Sequence, residues 1–366
     1  MSGLCQYLAL LYVTSTLCLF HGSRSEQEGE FCVTTRNRTV CGDGGNIRLA
    51  RIDGQQTGFS QELTLEDGRT VTMTTLSTKP LVLEVEHFLT DMECDYFVNM
   101  AEKQGLKSSH TQANSTQSGQ FHLLDTNRDK KLDVKEMINT IEASYDVYLE
   151  KEDILEMYKS TQWDKNEDGY ITPDETQHFP PNRLRAYLEE LLSRKPEKHS
   201  RYSKQVWLYP DSSKDKIFSG VQKRVTEVTN LPKELIKLSD FQVVSYGVKG
   251  HYNAHFDSAE LNKNVPCCTR DRTKQCRICR YMTILFYLND VEGGGETAFP
   301  IANNDTVDLK RVQEEKLNNL YKKCEDANLL VTPSKGKAIL WYNHFIEQMT
   351  DGWERWIVTH YTGDVP

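Results

Sequence analysis

Apolar and polar positions change period along the chain, and each change marks a boundary. Pro80 to Phe88 alternates with the period of two expected of a strand, and Thr90-Asp91 then caps an amphipathic helix from Met92 to about Gln104. Residues 106–120 are rich in Ser, Thr and Gln and read as a linker. From Phe121 to about Leu192 the pattern is helix-loop-helix twice. Strand-like runs return after Pro196, at Gln205–Leu208, Phe241–Tyr246, Tyr281–Leu288 and Ala338–Tyr342, with one helix at about Ser212–Thr229. Residues 25–75 carry turn signals such as Asp43-Gly44-Gly45 and predict short strands and loops. Strands, then helices, then strands predict an α+β chain in which a helical module interrupts a β domain.

The first residues point to a compartment. Leu4 to Phe20 is nearly continuous apolar or small, with no charge before Arg24. A spanning helix needs about 20 such residues, so the run predicts a cleaved signal peptide, with a membrane anchor as the alternative. Ten cysteines, among them Cys32/Cys41 and the group Cys267, Cys268, Cys276 and Cys279, read as disulfides in an oxidising lumen; a zinc knot is the competing reading of the group. Asn37, Asn114 and Asn304 open glycosylation triplets. The net charge of -9 and the lack of basic runs exclude a general nucleic-acid binder.

Part of that acidity has a local purpose. Asp164, Asn166, Asp168, the Tyr170 carbonyl and Glu175 occupy the ligand positions of a twelve-residue EF-hand loop, with Gly169 at its sharp turn. Ile171 falls where such loops pair with a partner. Asp125, Asn127, Asp129, the Lys131 carbonyl and Glu136 repeat the pattern, but Lys130 replaces the glycine, which predicts a weaker site. Calcium is therefore an expected ligand, the alternative for the first loop being a structural partner hand.

His255-Phe256-Asp257 on a strand, followed by Arg280–Thr283 and the glycine-rich Gly293–Pro300, supplies two donors of a 2-His-1-carboxylate iron site. Phe241–Tyr246, Tyr252-x-x-His255-Phe256-Asp257-Ser258, Arg280–Pro300 and Lys335–Asn343 together resemble the catalytic domain of prolyl 4-hydroxylases, over about 81–112 and 200–343. Paired EF-hands inserted early in that domain are similar to the membrane-associated branch of the endoplasmic reticulum. The resemblance implies a double-stranded β-helix (jelly-roll), with Fe(II), 2-oxoglutarate and L-ascorbate as cofactors. It also implies hydroxylation of peptidyl proline in a protein or peptide substrate. By matched position His255 and Asp257 are the implied catalytic iron ligands and Tyr246 a 2-oxoglutarate contact; from the residues alone Tyr246 is also a core aromatic.

The expected division is 1–24 leader or anchor, 25–80 N-terminal β/loop region, 81–112 and 200–366 split dioxygenase domain, and 113–198 EF-hand pair. After Asn343 the chain departs from the family pattern. No lysine for the cosubstrate follows Lys337, and Glu354–Pro366 does not match the strand that carries the distal histidine. His360 is the candidate third ligand, against the reading of an exposed tail histidine with no strand to hold it. The departure predicts weak iron retention and little turnover. Two functions remain open at this point: a prolyl 4-hydroxylase with a calcium module, or a catalytically inactive calcium-binding isoform.

Overall fold

The computed structural model describes residues 6–18, 31–35, 38–42, 51–109, 121–145, 147–209, 214–237, 239–257, 276–303, 312, 314–343 and 357–361. In 6–18, 31–35, 38–42, 276–279 and 357–361, and at 143, 234 and 240, it describes the backbone alone. The strands are β1 (Gln6–Cys18), β2 (Phe31–Thr35), β3 (Arg38–Gly42), β4 (Ser60–Thr64), β5 (Thr70–Thr78), β6 (Leu81–Glu86), β7 (Lys107–Ser109) and β8 (Arg201–Leu208). They continue with β9 (Asp240–Tyr246), β10 (His251–Phe256), β11 (Cys276–Tyr287), β12 (Thr297–Phe299), β13 (Leu329–Val331), β14 (Ala338–Tyr342) and β15 (Ile357–Tyr361). The helices are α1 (Asp91–Gln104), α2 (Phe121–Leu124), α3 (Val134–Tyr145), α4 (Lys151–Thr161), α5 (Pro173–His178), α6 (Pro181–Arg194), α7 (Lys216–Thr229), α8 (Lys233–Lys237) and α9 (Leu320–Lys323).

Every strand pairing among the described residues is antiparallel. The main ladder runs β13-β12-β15-β10-β8-β9-β1-β11-β14-β6-β5-β4, with β7 on β8. It folds into two facing parts because its central strands bury both faces. On β11, Met282, Ile284 and Phe286 join one core, while Leu285 and Tyr287 join another. On β14, Ala338, Leu340 and Tyr342 separate from Ile339 and Trp341 in the same way. This period-two division sends alternate side chains to opposite faces. One core is closed by Cys94, Phe97 and Ala101 of α1 and by Phe218, Val221 and Val225 of α7. Phe97 lies 4.8 Å from Phe241 of β9, centroid to centroid. The other core is closed by Phe299 and Val331 from β12 and β13, which places the short strands over the long ones.

Thr90 caps α1 as expected: its hydroxyl accepts from the Glu93 N–H and the Glu93 carboxylate accepts from the Thr90 N–H. The Glu93 carboxylate also receives Arg224 Nη2 at 2.8 Å, an ion pair with both side chains nearly buried. Burial works against the charge on Glu93, yet the Thr90 N–H and the Arg224 guanidinium hold its carboxyl below the ordinary range.

Helices α2 to α6 lie between β7 and β8, which pair with each other through Lys107↔Gln205. The chain therefore leaves and re-enters the sheet at adjacent points, and the helices form their own core around Met137, Ile141, Ile154, Met157, Trp163 and Leu188. Two ties set this module against segment 316–318, and the first of them continues to β10. Asn318 accepts the Ala254 N–H at 2.9 Å and donates through Nδ2 to the Tyr148 hydroxyl at 2.7 Å. Lys316 Nζ bonds Glu142 Oε1 at 2.8 Å and the Leu149 carbonyl at 3.1 Å.

Three features depart from expectation. The apolar N-terminal run, expected as a leader or anchor, contributes β1, whose Leu8 is paired with Val244 on one side and Tyr287 on the other. No helix of the described residues is long and apolar enough to cross a membrane. Ile357–Tyr361, expected as an unpaired tail, forms β15 between β10 and β12. A short helix, α8, follows α7 where only the first was expected; its Leu235 and Ile236 add to the helix-covered core. Cys32 and Cys41 are direct register partners in the β2–β3 hairpin. Of the expected linker 106–120, Lys107–Ser109 forms β7 instead, and 110–120 lies outside the described residues, as do Cys267, Cys268, Asn37, Asn114 and Asn304.

Gly336 makes the turn into β14 at φ +85°, where its carbonyl accepts the Leu89 N–H at 2.9 Å. A Cβ there would stand 2.4 Å from the Leu89 carbonyl oxygen. Gly336→Ala is expected to destabilise the protein by about 2 kcal/mol or more, read as a lower melting temperature by differential scanning calorimetry.

Candidate metal centres

His255 and Asp257 stand at the end of β10, where the strand is irregular. Tyr252 is opposite His360 of β15 and His255 is opposite Val358, a pairing that shifts by one residue between them. At the shift, Asn253 and Ala254 donate their N–H groups to the Ser200 and Asn318 carbonyls instead. This bulge brings Tyr252 and His255, three apart in sequence, onto one face, and their rings stack at 3.8 Å. Arg201 also lies over the Tyr252 ring, 4.4 Å from its centre.

The His255 ring has a defined orientation. Its Nδ1 donates to the Asn253 carbonyl at 2.9 Å, and its Nε2 is turned to Asp257 Oδ1, 3.2 Å away. The Asp257 side chain is only 5% exposed. Burial opposes its charge, but the His255 hydrogen bond and charge, the Arg280 guanidinium and the Thr283 hydroxyl outweigh that and hold the carboxyl at about 2. An ionised carboxylate and an imidazole nitrogen directed at one point are a suitable donor pair for a borderline divalent cation such as Fe(II).

The third expected donor, His360, is placed in β15 by its backbone, directly opposite Tyr252. Its side chain lies outside the described residues. Among the described residues no group of three or more His, Cys, Asp or Glu side chains is arranged to hold a metal ion. Tyr246 is on the inner face of β9, buried among Val244, Leu285, Tyr287 and Trp341. Close by, the Tyr287 hydroxyl donates to Thr297 Oγ1 at 2.6 Å, and burial pushes its ionisation far above the ordinary phenol range. Lys337, also enclosed, bonds Glu84 at 2.7 Å and Glu86 at 3.3 Å, so its charge is already neutralised by two carboxylates.

In the helical module the two acidic loops face each other. Leu132 and Ile171 exchange backbone hydrogen bonds of 2.8 and 3.0 Å. In the second loop Asp164 accepts from the Asp168 and Gly169 N–H groups, Asn166 accepts from Asp168, and Asp168 from Tyr170. Glu175 accepts from Lys165 through one oxygen and from Thr172 through the other. The first loop repeats this arrangement: Asp125 accepts from Asp129 and Lys130, Asn127 from Asp129, Asp129 from Lys131, and Glu136 from Thr126 and Asp133. Gly169 has φ +82° and Lys130 φ +67°, so the lysine does occupy the left-handed turn. Lys131 also contributes: its ammonium lies 3.8 Å from Asp168 of the other loop and 5.0 Å from the centre of the Tyr170 ring.

The contacts of Thr283, Asn343 and Arg280 around Asp257 had no counterpart in the sequence reading. Thr283 Oγ1 donates to Asp257 Oδ2 at 2.7 Å, and Arg280 Nη1 donates to the Asp257 carbonyl at 3.3 Å. A threonine inside the apolar run Tyr281–Leu288 was the available signal, since a buried hydroxyl needs a partner.

Residues 241–363 match the 2OG-Fe(II) oxygenase superfamily. The chain is 35% identical over 317 residues to human transmembrane prolyl 4-hydroxylase, covering 81% of this chain and 62% of that protein. The mouse protein of the same name is 33% identical with the same coverage. Mouse prolyl 4-hydroxylase subunit alpha-1 is 32% identical over 147 residues, 40% of this chain and 21% of that protein. The chain thus spans 62% of the length of the transmembrane relatives it matches. Residues 241–363, which hold His255, Asp257 and His360, are a domain of the 2OG-Fe(II) oxygenase superfamily, and the chain is a relative of the transmembrane prolyl 4-hydroxylases.

Proposed function

We propose that the chain is a 2-oxoglutarate- and Fe(II)-dependent prolyl 4-hydroxylase acting on peptidyl proline, built on a jelly-roll with an inserted EF-hand pair. The observation that carries this reading is the pair His255 Nε2 and Asp257 Oδ1, 3.2 Å apart at the end of a strand whose neighbour bears His360. His255, Asp257 and His360 would hold the iron. Bound Fe(II) would supply oxygen activation coupled to decarboxylation of 2-oxoglutarate, with ascorbate keeping the metal reduced. The Asn253 carbonyl holds Nδ1 of His255 and keeps Nε2 available. Tyr246, on the buried inner face of β9, is the proposed cosubstrate contact. The superfamily match runs through Glu354–Gly363, the stretch whose residues depart from the family motif, and this supports catalysis over the inactive alternative.

The acidic loops are proposed as calcium sites. The Leu132–Ile171 bridge, the left-handed turns and the gathering of Glu136 and Glu175 over their loops support this reading. The lumen of the endoplasmic reticulum is the proposed compartment, from the cysteine content.

With Fe(II), 2-oxoglutarate, ascorbate and a proline-containing peptide, the full chain is expected to release succinate and form hydroxyproline. Asp257→Ala, His255→Ala and His360→Ala are each expected to reduce both products to background. Wild-type turnover in His360→Ala would remove that residue from the ligand set, and absent turnover with intact calcium binding would favour the inactive reading. In titration calorimetry Glu175→Ala is expected to remove more calcium binding than Glu136→Ala. In chelator, Lys130→Gly is expected to stabilise the helical module by about 0.5–1 kcal/mol, because it relieves the left-handed lysine. Denaturation followed through Trp163, stacked 3.9 Å from Phe179, checks this.

A further inference from the structure

The side chains behind Asp257 form a hydrogen-bond chain with one possible direction. Trp341 Nε1 can only donate, and it donates to Asn343 Oδ1 at 3.0 Å. The Asn343 amide is thereby oriented, and its Nδ2 donates to Thr283 Oγ1 at 3.1 Å. With that oxygen accepting, the Thr283 proton is directed to Asp257 Oδ2 at 2.7 Å. The chain ends on a carboxylate, which when ionised can only accept. Trp341, Asn343 and Thr283 are each at most 3% exposed, and Thr283 is the register partner of Trp341, so β11 and β14 hold the chain rigidly. It crosses from the long strands to the end of β10 and takes up one carboxylate oxygen, leaving Oδ1 beside His255 Nε2.

We propose that Thr283 and Asn343 are positioning residues that hold Asp257 as a single-oxygen donor to the metal. This inference rests on the iron reading above. A carboxylate free to rotate could bind through both oxygens and close a coordination position that cosubstrate and oxygen need. The chain commits Oδ2 to protein, so only Oδ1 reaches the metal, and hydrogen-bonded partners behind a ligand of this kind typically contribute 10–100-fold in metal affinity.

The test uses the full chain with Mn(II) titration followed by the free-ion magnetic resonance signal, and Co(II) electronic absorption as a reporter of coordination number. Thr283→Val is expected to weaken Mn(II) binding by about 10-fold or more and to change the Co(II) band intensity. Thr283→Ser, which restores the hydroxyl, is expected to return both to wild type. Asn343→Leu keeps the Thr283 hydroxyl but removes its orienting donor, and is expected to weaken binding by a smaller factor; it carries the test if Thr283→Val folds poorly by circular dichroism. Metal bound by wild type, lost in Asp257→Ala and unchanged in Thr283→Val and Asn343→Leu overturns the positioning role alone. Equal binding by wild type and Asp257→Ala overturns the iron reading and this proposal with it.

Discussion

The structure depends on burying both faces of the same strands. β9, β11 and β14 present one row of side chains to α1 and α7 and the other to the short strands β12 and β13. Neither row can be left in water, since each buried aliphatic or aromatic side chain contributes about 1.5–3 kcal/mol on transfer from water. Layers must therefore form on both sides, and the inner space between the facing parts of the ladder is where any polar chemistry has to be enclosed. Asp257 is tolerated there because it is bonded from several directions: His255, Arg280 and Thr283 all face it. The same enclosure that makes the carboxylate costly without partners makes its geometry well defined with them.

The helical module obeys a different constraint. It is inserted where β7 and β8 already pair, so its ends are close together and its fold makes little demand on the sheet. It is nevertheless not independent of the rest. Asn318 touches Tyr148 of the module and the backbone of Ala254 in one residue, and β10 carries His255 immediately afterwards. Lys198, nearly buried against Asp153 at 2.6 Å and Glu150 at 3.2 Å, fastens the end of the module to α4. The bulge that turns Tyr252 and His255 to one face is made from the same backbone groups that receive these contacts.

Legibility in the sequence followed how local each signal was. The cap at Thr90, the strands at Leu81–Glu86 and Ala338–Tyr342, and both acidic loops were readable because a few adjacent residues define them. Lys130 was readable as a misfit, since its φ of +67° belongs to glycine. By contrast, β15 was missed: Ile357–Tyr361 is short, and its strand partners among the described residues, β10 and β12, are far away along the chain. Thr283 and Asn343 were missed for the same reason, as their roles arise from contacts with Asp257 and Trp341 that no spacing encodes. The placement of β1 between β9 and β11 also comes from long-range backbone pairing, where the apolar run alone suggested a leader or anchor.

By itself the sequence determined the α+β class, the interruption of strands by helices, the two twelve-residue acidic loops, and the His255-Phe256-Asp257 motif at the end of a strand. These rest on periodicity and on side-chain chemistry at fixed short spacing. The tertiary structure alone decided that β15 runs beside β10, that a bulge stacks Tyr252 on His255, and that Trp341, Asn343 and Thr283 stand behind Asp257. The reason is that hydrogen-bond partners of a buried carboxylate are chosen by which strands the two cores bring together. That choice is made by packing over the whole chain and has no local period to read.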